Sequence, residues 1–153
     1  MSIFRIIVNL IKFVINPNGH KRHFVPKEKS EKFVILNDDK LEITYLQLLR
    51  GATKNDLYIS IDETIDICKD ACFRRVIIDF RGGTEYSGEL DEIITYLNRI
   101  KRILFLRIAV IVPSDTVVTD INSQYGREKL DSKVYVKAFI ASSDAINWLI
   151  KKV

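Results

Sequence analysis

The sequence contains few of the residues on which small catalytic, metal-binding or disulfide-stabilised domains depend. It has two cysteines and two histidines in 153 residues, and both histidines lie within the first 23. Residues 34–153 therefore offer no imidazole for Ser-His-Asp or Cys-His mechanisms, or for most zinc sites. They also contain no nucleotide-binding glycine loop, zinc-protease motif or nucleophile elbow. We expect a protein that is not an enzyme and that holds no cofactor or metal.

The chain also has few backbone breakers and no long apolar run. Six glycines, three prolines and 47% apolar residues exclude a disordered or low-complexity chain. No run reaches the 18 or so apolar residues of a simple membrane-spanning helix. The length fits one domain. Cys68 and Cys72 are expected on the apolar stripe of one helix as reduced thiols, which favours a cytoplasmic protein.

Positive charge is concentrated at the amino-terminal end. The net charge is +4, yet residues 1–33 hold seven Lys or Arg against two Asp or Glu, whereas residues 34–153 hold seventeen against eighteen. A nucleic-acid-binding protein usually spreads its basic residues over one face of the fold, so we expect no nucleic-acid partner. The change in composition predicts an N-terminal segment, residues 1–32, with an apolar helix and a basic linker. The domain follows over residues 33–153.

The first sixteen residues are typical of an amphipathic helix. At 100° per residue the polar residues fall within an arc of about 80°. The apolar arc includes Phe4, Ile7, Ile11 and Phe13. In one interpretation, which we favour, this helix docks on an apolar surface of its own domain or of a second copy. In the other it lies in a membrane interface, where basic residues such as Lys21 and Arg22 add attraction to anionic lipid.

Alternating strand and helix patterns predict an α/β fold after residue 33. Two strands flank the polar turn 37–40 and predict a hairpin, residues 33–36 and 41–49. More continuously apolar runs predict interior strands at residues 76–80, 103–112 and 134–140. Strands separated by helices run parallel through right-handed crossovers. We expect a mixed sheet of about five strands with about four helices.

The helices are predicted from their caps and their apolar spacing. Thr53 and Asp56 resemble a capping box at the start of the first helix. The second helix is marked by apolar residues from Leu90 to Ile100. Ser114 is the predicted cap of the third helix, and Ser142 or Ser143 that of the fourth. In the fourth helix Trp148 should pack with Phe139 and Leu149.

The loop after the central strand carries the candidate site residues. Asp79 ends a predicted parallel strand, a position where α/β folds place functional residues, and Arg81, Gly82 and Gly83 follow it. We favour a carboxylate that accepts N–H bonds from this loop over an enzyme that uses Asp79, Arg81 and Ser87. Ser87 stands where a helix cap belongs. Capping is the favoured role, and a phosphoacceptor at the helix N-terminus is the alternative.

The order of these segments carries a family resemblance. Its pieces are Leu49-Arg50-Gly51 before the Thr53-capped helix, strands at 75–80 and 108–112, and 136–140 running into 144–149. Together they resemble the STAS superfamily, the anti-sigma-factor-antagonist-like domains, especially the SpoIIAA-like branch related to CRAL-TRIO lipid-binding domains. The antagonist branch is phosphorylated at a serine in this loop, and Ser87-Gly88 matches part of that motif.

The resemblance implies a non-catalytic domain with one of two functions. The first is an interaction module that binds a partner protein or a second copy of itself. The second is a lipid or apolar small-molecule binder, peripheral to the membrane through the N-terminal segment. The two differ in what they require: a partner surface for the first, and an apolar pocket for the second.

Overall fold

The computed structural model shows a mixed six-stranded sheet with helices packed on both of its faces. The structure describes residues 24–82, 90–92, 95, 105–125 and 134–151. Residues 90–92 and 95 are helical. The other elements are β1 (Val25–Lys29), β2 (Phe33–Asp38), β3 (Ile43–Leu48), α1 (Lys54–Asp70), β4 (Arg75–Asp79), β5 (Leu106–Ile111), α2 (Asp115–Tyr125), β6 (Val134–Phe139) and α3 (Ser142–Ile150). The predicted α/β class is confirmed.

The strands lie side by side in chain order. The pairs β1–β2 and β2–β3 are antiparallel, whereas β3, β4, β5 and β6 are parallel to one another. Each crossover steps in the same direction across the sheet, so right-handed connections place their helices on one face. We call this the α1 face. Helix α3 follows the last strand and packs on the opposite face, the α3 face, against β5 and β6.

Local sequence explains how α1 begins. The Thr53 side chain accepts a hydrogen bond from the Asp56 backbone N–H at 3.2 Å, and the Thr53 N–H donates to the Asp56 carboxylate at 2.8 Å. This is the predicted capping box, and it satisfies two backbone donors that a helix start leaves open. The helix then buries Leu57, Ile61 and Ile65 in the core of the α1 face.

The α3 face has a separate apolar core and one basic anchor. The Arg107 guanidinium donates to the carbonyl oxygens of Trp148 at 2.9 Å, Leu149 at 3.2 Å and Lys151 at 3.1 Å. It thereby satisfies carbonyls that the end of α3 leaves without helical partners, and it places a cation at the negative end of the helix dipole. Trp148 packs on Phe139 with ring centroids 5.8 Å apart, as predicted.

Two strands differ from the sequence-based expectation. Strand β1 lies within the predicted linker, where Pro26 and three charged residues conceal the strand pattern. The sheet therefore begins before residue 33. Strand β6 was expected to be an interior strand, but it is an edge strand. Its side chains on one face are buried under α2, whereas those on the other face are only partly covered by α3.

The end of α1 and the start of α3 differ from the sequence-based predictions. Cys72 does not lie on the apolar stripe of α1: the helix ends before it, and Cys72 is exposed with a positive φ of 59°. Cys68 is buried as expected. The cap of α3 is Ala141, which makes no side-chain cap hydrogen bond, and Ser142 is the first helical residue. The predicted cap at Ser142 or Ser143 is therefore wrong.

Candidate functional site

A buried polar cluster lies at the carboxyl end of β4. Asp79, the last residue of that strand, points to the α3 face and pairs in register with Gln47 of β3. Tyr45 projects from the same face of β3, two residues before Gln47. Its hydroxyl donates to Asp79 Oδ2 at 2.5 Å. Arg81, two residues after Asp79, folds back to form a salt bridge with the same oxygen at 2.8 Å.

Both oxygens of the Asp79 carboxylate accept two hydrogen bonds each. Oδ1 accepts the Arg81 backbone N–H at 2.9 Å and Arg81 Nε at 3.1 Å, while Oδ2 accepts the Tyr45 hydroxyl and Arg81 Nη2. A carboxylate offers about four acceptor positions, so none is left over. The backbone bond is the loop interaction predicted from the sequence. The arrangement leaves Asp79 no free lone pair with which to take a proton from a substrate.

Burial and charge fix the protonation of the two partners. Burial raises the pKa of Tyr45 well above its usual value, and the nearby charge of Asp79 raises it further. Burial alone would lower the pKa of Arg81, but its hydrogen bonds and charge interaction with Asp79 outweigh this and raise it. At neutral pH the cluster therefore consists of a neutral phenol and a charged guanidinium that share one carboxylate.

The loop that follows is packed closely against β3. A Cβ on Gly82 would lie 2.7 Å from the Gln47 side-chain nitrogen and 3.1 Å from the Leu48 carbonyl oxygen. That nitrogen donates to the same carbonyl at 3.0 Å, so a larger residue at position 82 would disturb a buried hydrogen bond. Gly82 therefore lets the backbone approach the end of β3. Gly83 and Ser87 lie outside the described residues.

A second candidate surface follows the outer strand. Tyr135 and Phe139 project from β6 on the α3 face and are half-buried. Phe105 stacks on Tyr135 with ring centroids 6.4 Å apart, and Trp148 packs on Phe139. We call these four residues the β6 aromatic strip. Phe105 is 53% exposed, a large fraction for a phenylalanine. The Lys137 ammonium lies 5.6 Å from the Phe139 ring centroid, among the aromatic rings.

Sequence reasoning found only the Trp148–Phe139 part of this strip. The missed signal is the alternation within β6, where Val134, Val136 and Ala138 are buried and the residues between them are half-buried or exposed. Such alternation indicates a strand with one covered and one partly open face. The contact of Phe105 with Tyr135 has no signature in the sequence, because the two residues are 30 positions apart along the chain.

The outer edge of β6 is blocked at one point by α2. Asn122 donates from Nδ2 to the Ala138 carbonyl oxygen at 3.2 Å and accepts the Ala138 N–H at Oδ1 at 2.8 Å. The Phe139 carbonyl oxygen bonds toward β5, so the backbone groups of Ala138 point away from the sheet. The side-chain amide of Asn122 thus takes the place that a further strand would occupy.

Other predicted features can be placed only in part. The N-terminal residues Phe4, Ile7, Ile11, Phe13, Lys21 and Arg22 lie outside the described residues. Within the part of the chain that the structure describes, no three His, Cys, Asp or Glu side chains are grouped as a metal site would need. No described helix is long and apolar enough to cross a membrane. Comparison with family models, curated proteins and solved structures finds no match for this chain.

Proposed function

We propose that the protein is a non-catalytic, STAS-like interaction module that associates with a second copy of itself through the β6 aromatic strip. The observation that carries this proposal is the clustering of four partly exposed aromatic residues at the outer strand β6: Tyr135 and Phe139 lie on that strand, and Phe105 and Trp148 pack against them. Aromatic residues are enriched where protein interfaces gain most of their free energy. Among the described residues, three other large apolar side chains are exposed: Ile140 directly follows β6, whereas Val25 and Ile59 lie on β1 and α1, away from the strip.

Self-association is favoured because the strip combines rings with a cation. A two-fold axis brings the same patch of both copies together, so every group must find its complement on that patch. Lys137 of one copy can then lie over the rings of the other, since ammonium groups are attracted to aromatic faces. Ile140, which is 42% exposed, extends the apolar area at the end of the strand.

The polar cluster supports the non-catalytic part of the proposal. Asp79 already accepts four hydrogen bonds, and Tyr45 keeps its proton because burial and the charge of Asp79 raise its pKa. A general base needs a free lone pair within reach of its substrate. The cluster instead fastens the loop after β4 to β3, which is a structural role.

The test is a pair of matched substitutions read out by mass in solution. Sedimentation of the full chain from about 1 to about 300 µM should show a monomer–dimer equilibrium. Phe105→Ser should weaken it about tenfold or more, because it removes an exposed aromatic anchor. Ile59→Ser is the control, since Ile59 is 43% exposed on α1, and it should leave the equilibrium unchanged.

Three results would overturn this proposal. One is a monomer at every concentration. Another is a native mass spectrum of a monomer that carries the extra mass of a lipid, which would favour the apolar-ligand alternative. A dimer that Phe105→Ser and Ile59→Ser weaken equally would also remove the strip from the interface.

A further inference from the structure

Part of the α3 face is fully buried although helix α3 packs mainly on other strands of the sheet. Val34, Leu36, Ile43, Tyr45 and Ile77 project from β2, β3 and β4, and all five are fully buried. Helix α3 packs on β5 and β6, which lie farther along the sheet. Phe24 packs in the same cluster, and its ring meets Tyr45 edge-on with centroids 5.4 Å apart.

Phe24 is itself covered on its outer side. It is the first described residue, and its side chain is only 3% exposed although it rests on the outside of Tyr45. A ring that covers one residue and is open to solvent on its other side would be far more exposed. Something on the α3 face therefore covers both Phe24 and the strands beside it.

We propose that residues 3–15 form the apolar helix predicted from the sequence and that this helix packs across β2, β3 and β4, next to α3. The occupant of this surface is thus the protein's own N-terminal segment. The inference goes beyond the proposed function, because it concerns a different surface from the β6 aromatic strip.

The other undescribed segments are less suited to this position. Residues 83–104 join β4 to β5, and Leu90 within that connection packs in the core of the α1 face. Residues 126–133 join α2, which is also on the α1 face, to the start of β6. Residues 1–23 lead directly into Phe24, whose ring packs on the α3 face.

The dimensions agree with a helix over β3. Adjacent strands are about 4.8 Å apart, so β3 lies about 10 Å from β5, on which α3 rests. Packed helices have axes about 8–10 Å apart, so a helix beside α3 falls over β3. Thirteen helical residues span about 20 Å, which is also the length of a six-residue strand. The eight residues 16–23 reach up to about 26 Å, enough for the chain to turn back.

The chemistry of the two surfaces also agrees. The receiving strands present branched and aromatic side chains, and the N-terminal segment presents an apolar arc centred on Ile7 and Ile11. Its polar arc, which includes Arg5, Asn9 and Lys12, would face solvent. A helix with such a wide apolar surface needs to bury it, and these strands need a cover.

Hydrogen exchange of the full chain tests this directly. Backbone amides of residues 6–15 should exchange about 100-fold more slowly than in a synthetic peptide of residues 1–16, since docking must open before exchange. The protection should persist in the Phe105→Ser variant, in which self-association through the strip is weakened. This separates failure of the present inference from failure of the proposed function.

A matched pair of variants tests which face of the segment docks. Ile7→Glu adds one negative charge to the apolar arc and should lower the protection about tenfold or more, with increased binding of a dye specific for apolar surface. Asn9→Glu adds the same charge to the polar arc and should change neither measurement. Should Ile7→Glu fail to fold, the exchange of the unsubstituted chain still decides the question.

Three outcomes would overturn the inference. The amides of residues 6–15 could exchange as fast as in the free peptide. Their protection could grow with protein concentration, which would assign the occupant of the face to a second copy. It could also arise only with vesicles of phosphatidylcholine and roughly 30% phosphatidylserine, which would assign the segment to a membrane surface.

Discussion

The two edges of the sheet are protected in different ways. Strand β1 is exposed, contains Pro26 and three charged residues, and departs from regular pairing with β2 between Pro26 and Glu28. Strand β6 contains one charged residue, Lys137, and no proline. Its edge is blocked at Ala138 by an amide from α2. An unpaired edge invites pairing with another chain. One edge is thus guarded by its own composition and the other by a side chain from elsewhere in the fold.

This difference separates local from tertiary protection. A charged, bulged strand discourages pairing wherever it is placed, because its side chains and twist belong to the strand itself. The protection of β6 holds only while α2 remains docked. We therefore expect β6 to be the more vulnerable edge and the one through which copies meet.

The largest effect is expected at Asp79, between the two edges. Asp79→Ala leaves the Tyr45 hydroxyl buried without its acceptor and removes the partner of the Arg81 guanidinium. Breaking such a buried pair costs about 3–5 kcal/mol of the free energy of unfolding. Urea denaturation measures this loss. A loss below about 1 kcal/mol would show that the cluster does not fasten the sheet, and the centre would then be no firmer than its edges.

Alkaline pH probes the same centre. Because burial and the charge of Asp79 raise the pKa of Tyr45 in the folded state, folding favours the protonated phenol. Its contribution to stability is complete below about pH 10 and falls as the pH rises further. The free energy of unfolding of Tyr45→Phe should therefore fall less steeply above pH 10 than that of the unsubstituted chain. Parallel curves would contradict this assignment.

A smaller effect is expected at the β6 edge. Asn122→Ala removes both hydrogen bonds to the Ala138 backbone, and Ala138 is buried. The free energy of unfolding should fall by about 1–3 kcal/mol, and light scattering should show more association, because the edge is opened.

Gln124→Ala on the same helix is the control. Its amide contacts Asp91 at the surface, and it should change stability by less than about 0.5 kcal/mol. Equal association of both variants would remove Asn122 as the guard of this edge.

Two interactions between close neighbours in the chain were predicted from the sequence, whereas the contacts between distant residues in the polar cluster and at the β6 edge were not. The Thr53–Asp56 capping box and the bond from the Arg81 N–H to Asp79 each span two or three residues, so spacing alone indicates them. Tyr45 and Asp79 are 34 residues apart, and Asn122 and Ala138 are 16 apart. Their contacts depend on which strands become neighbours, which composition and periodicity do not specify.

The same distinction explains the missed strand. The charges of β1 are typical of a linker, and only pairing with β2 makes the segment a strand. Its partner β2 is apolar throughout positions 33–36 and was predicted from that run. Edge strands that carry their own protection are thus hard to recognise from the sequence, because the residues that protect them are residues that strands otherwise avoid.

The smallest change in stability is expected at the β1 edge. Lys27 lies where the pairing of β1 with β2 is irregular, and it is exposed. Lys27→Met should alter the free energy of unfolding by no more than about 0.5 kcal/mol, because the side chain is in solvent. It should nevertheless lower the temperature at which light scattering rises, because it removes a charge that discourages edge pairing. Lys69→Met makes the same chemical change on the exposed surface of α1, and its scattering temperature should stay at that of the unsubstituted chain. If both variants scatter alike, the charge of Lys27 is not what protects β1, and the protection would rest on Pro26 and the irregular pairing.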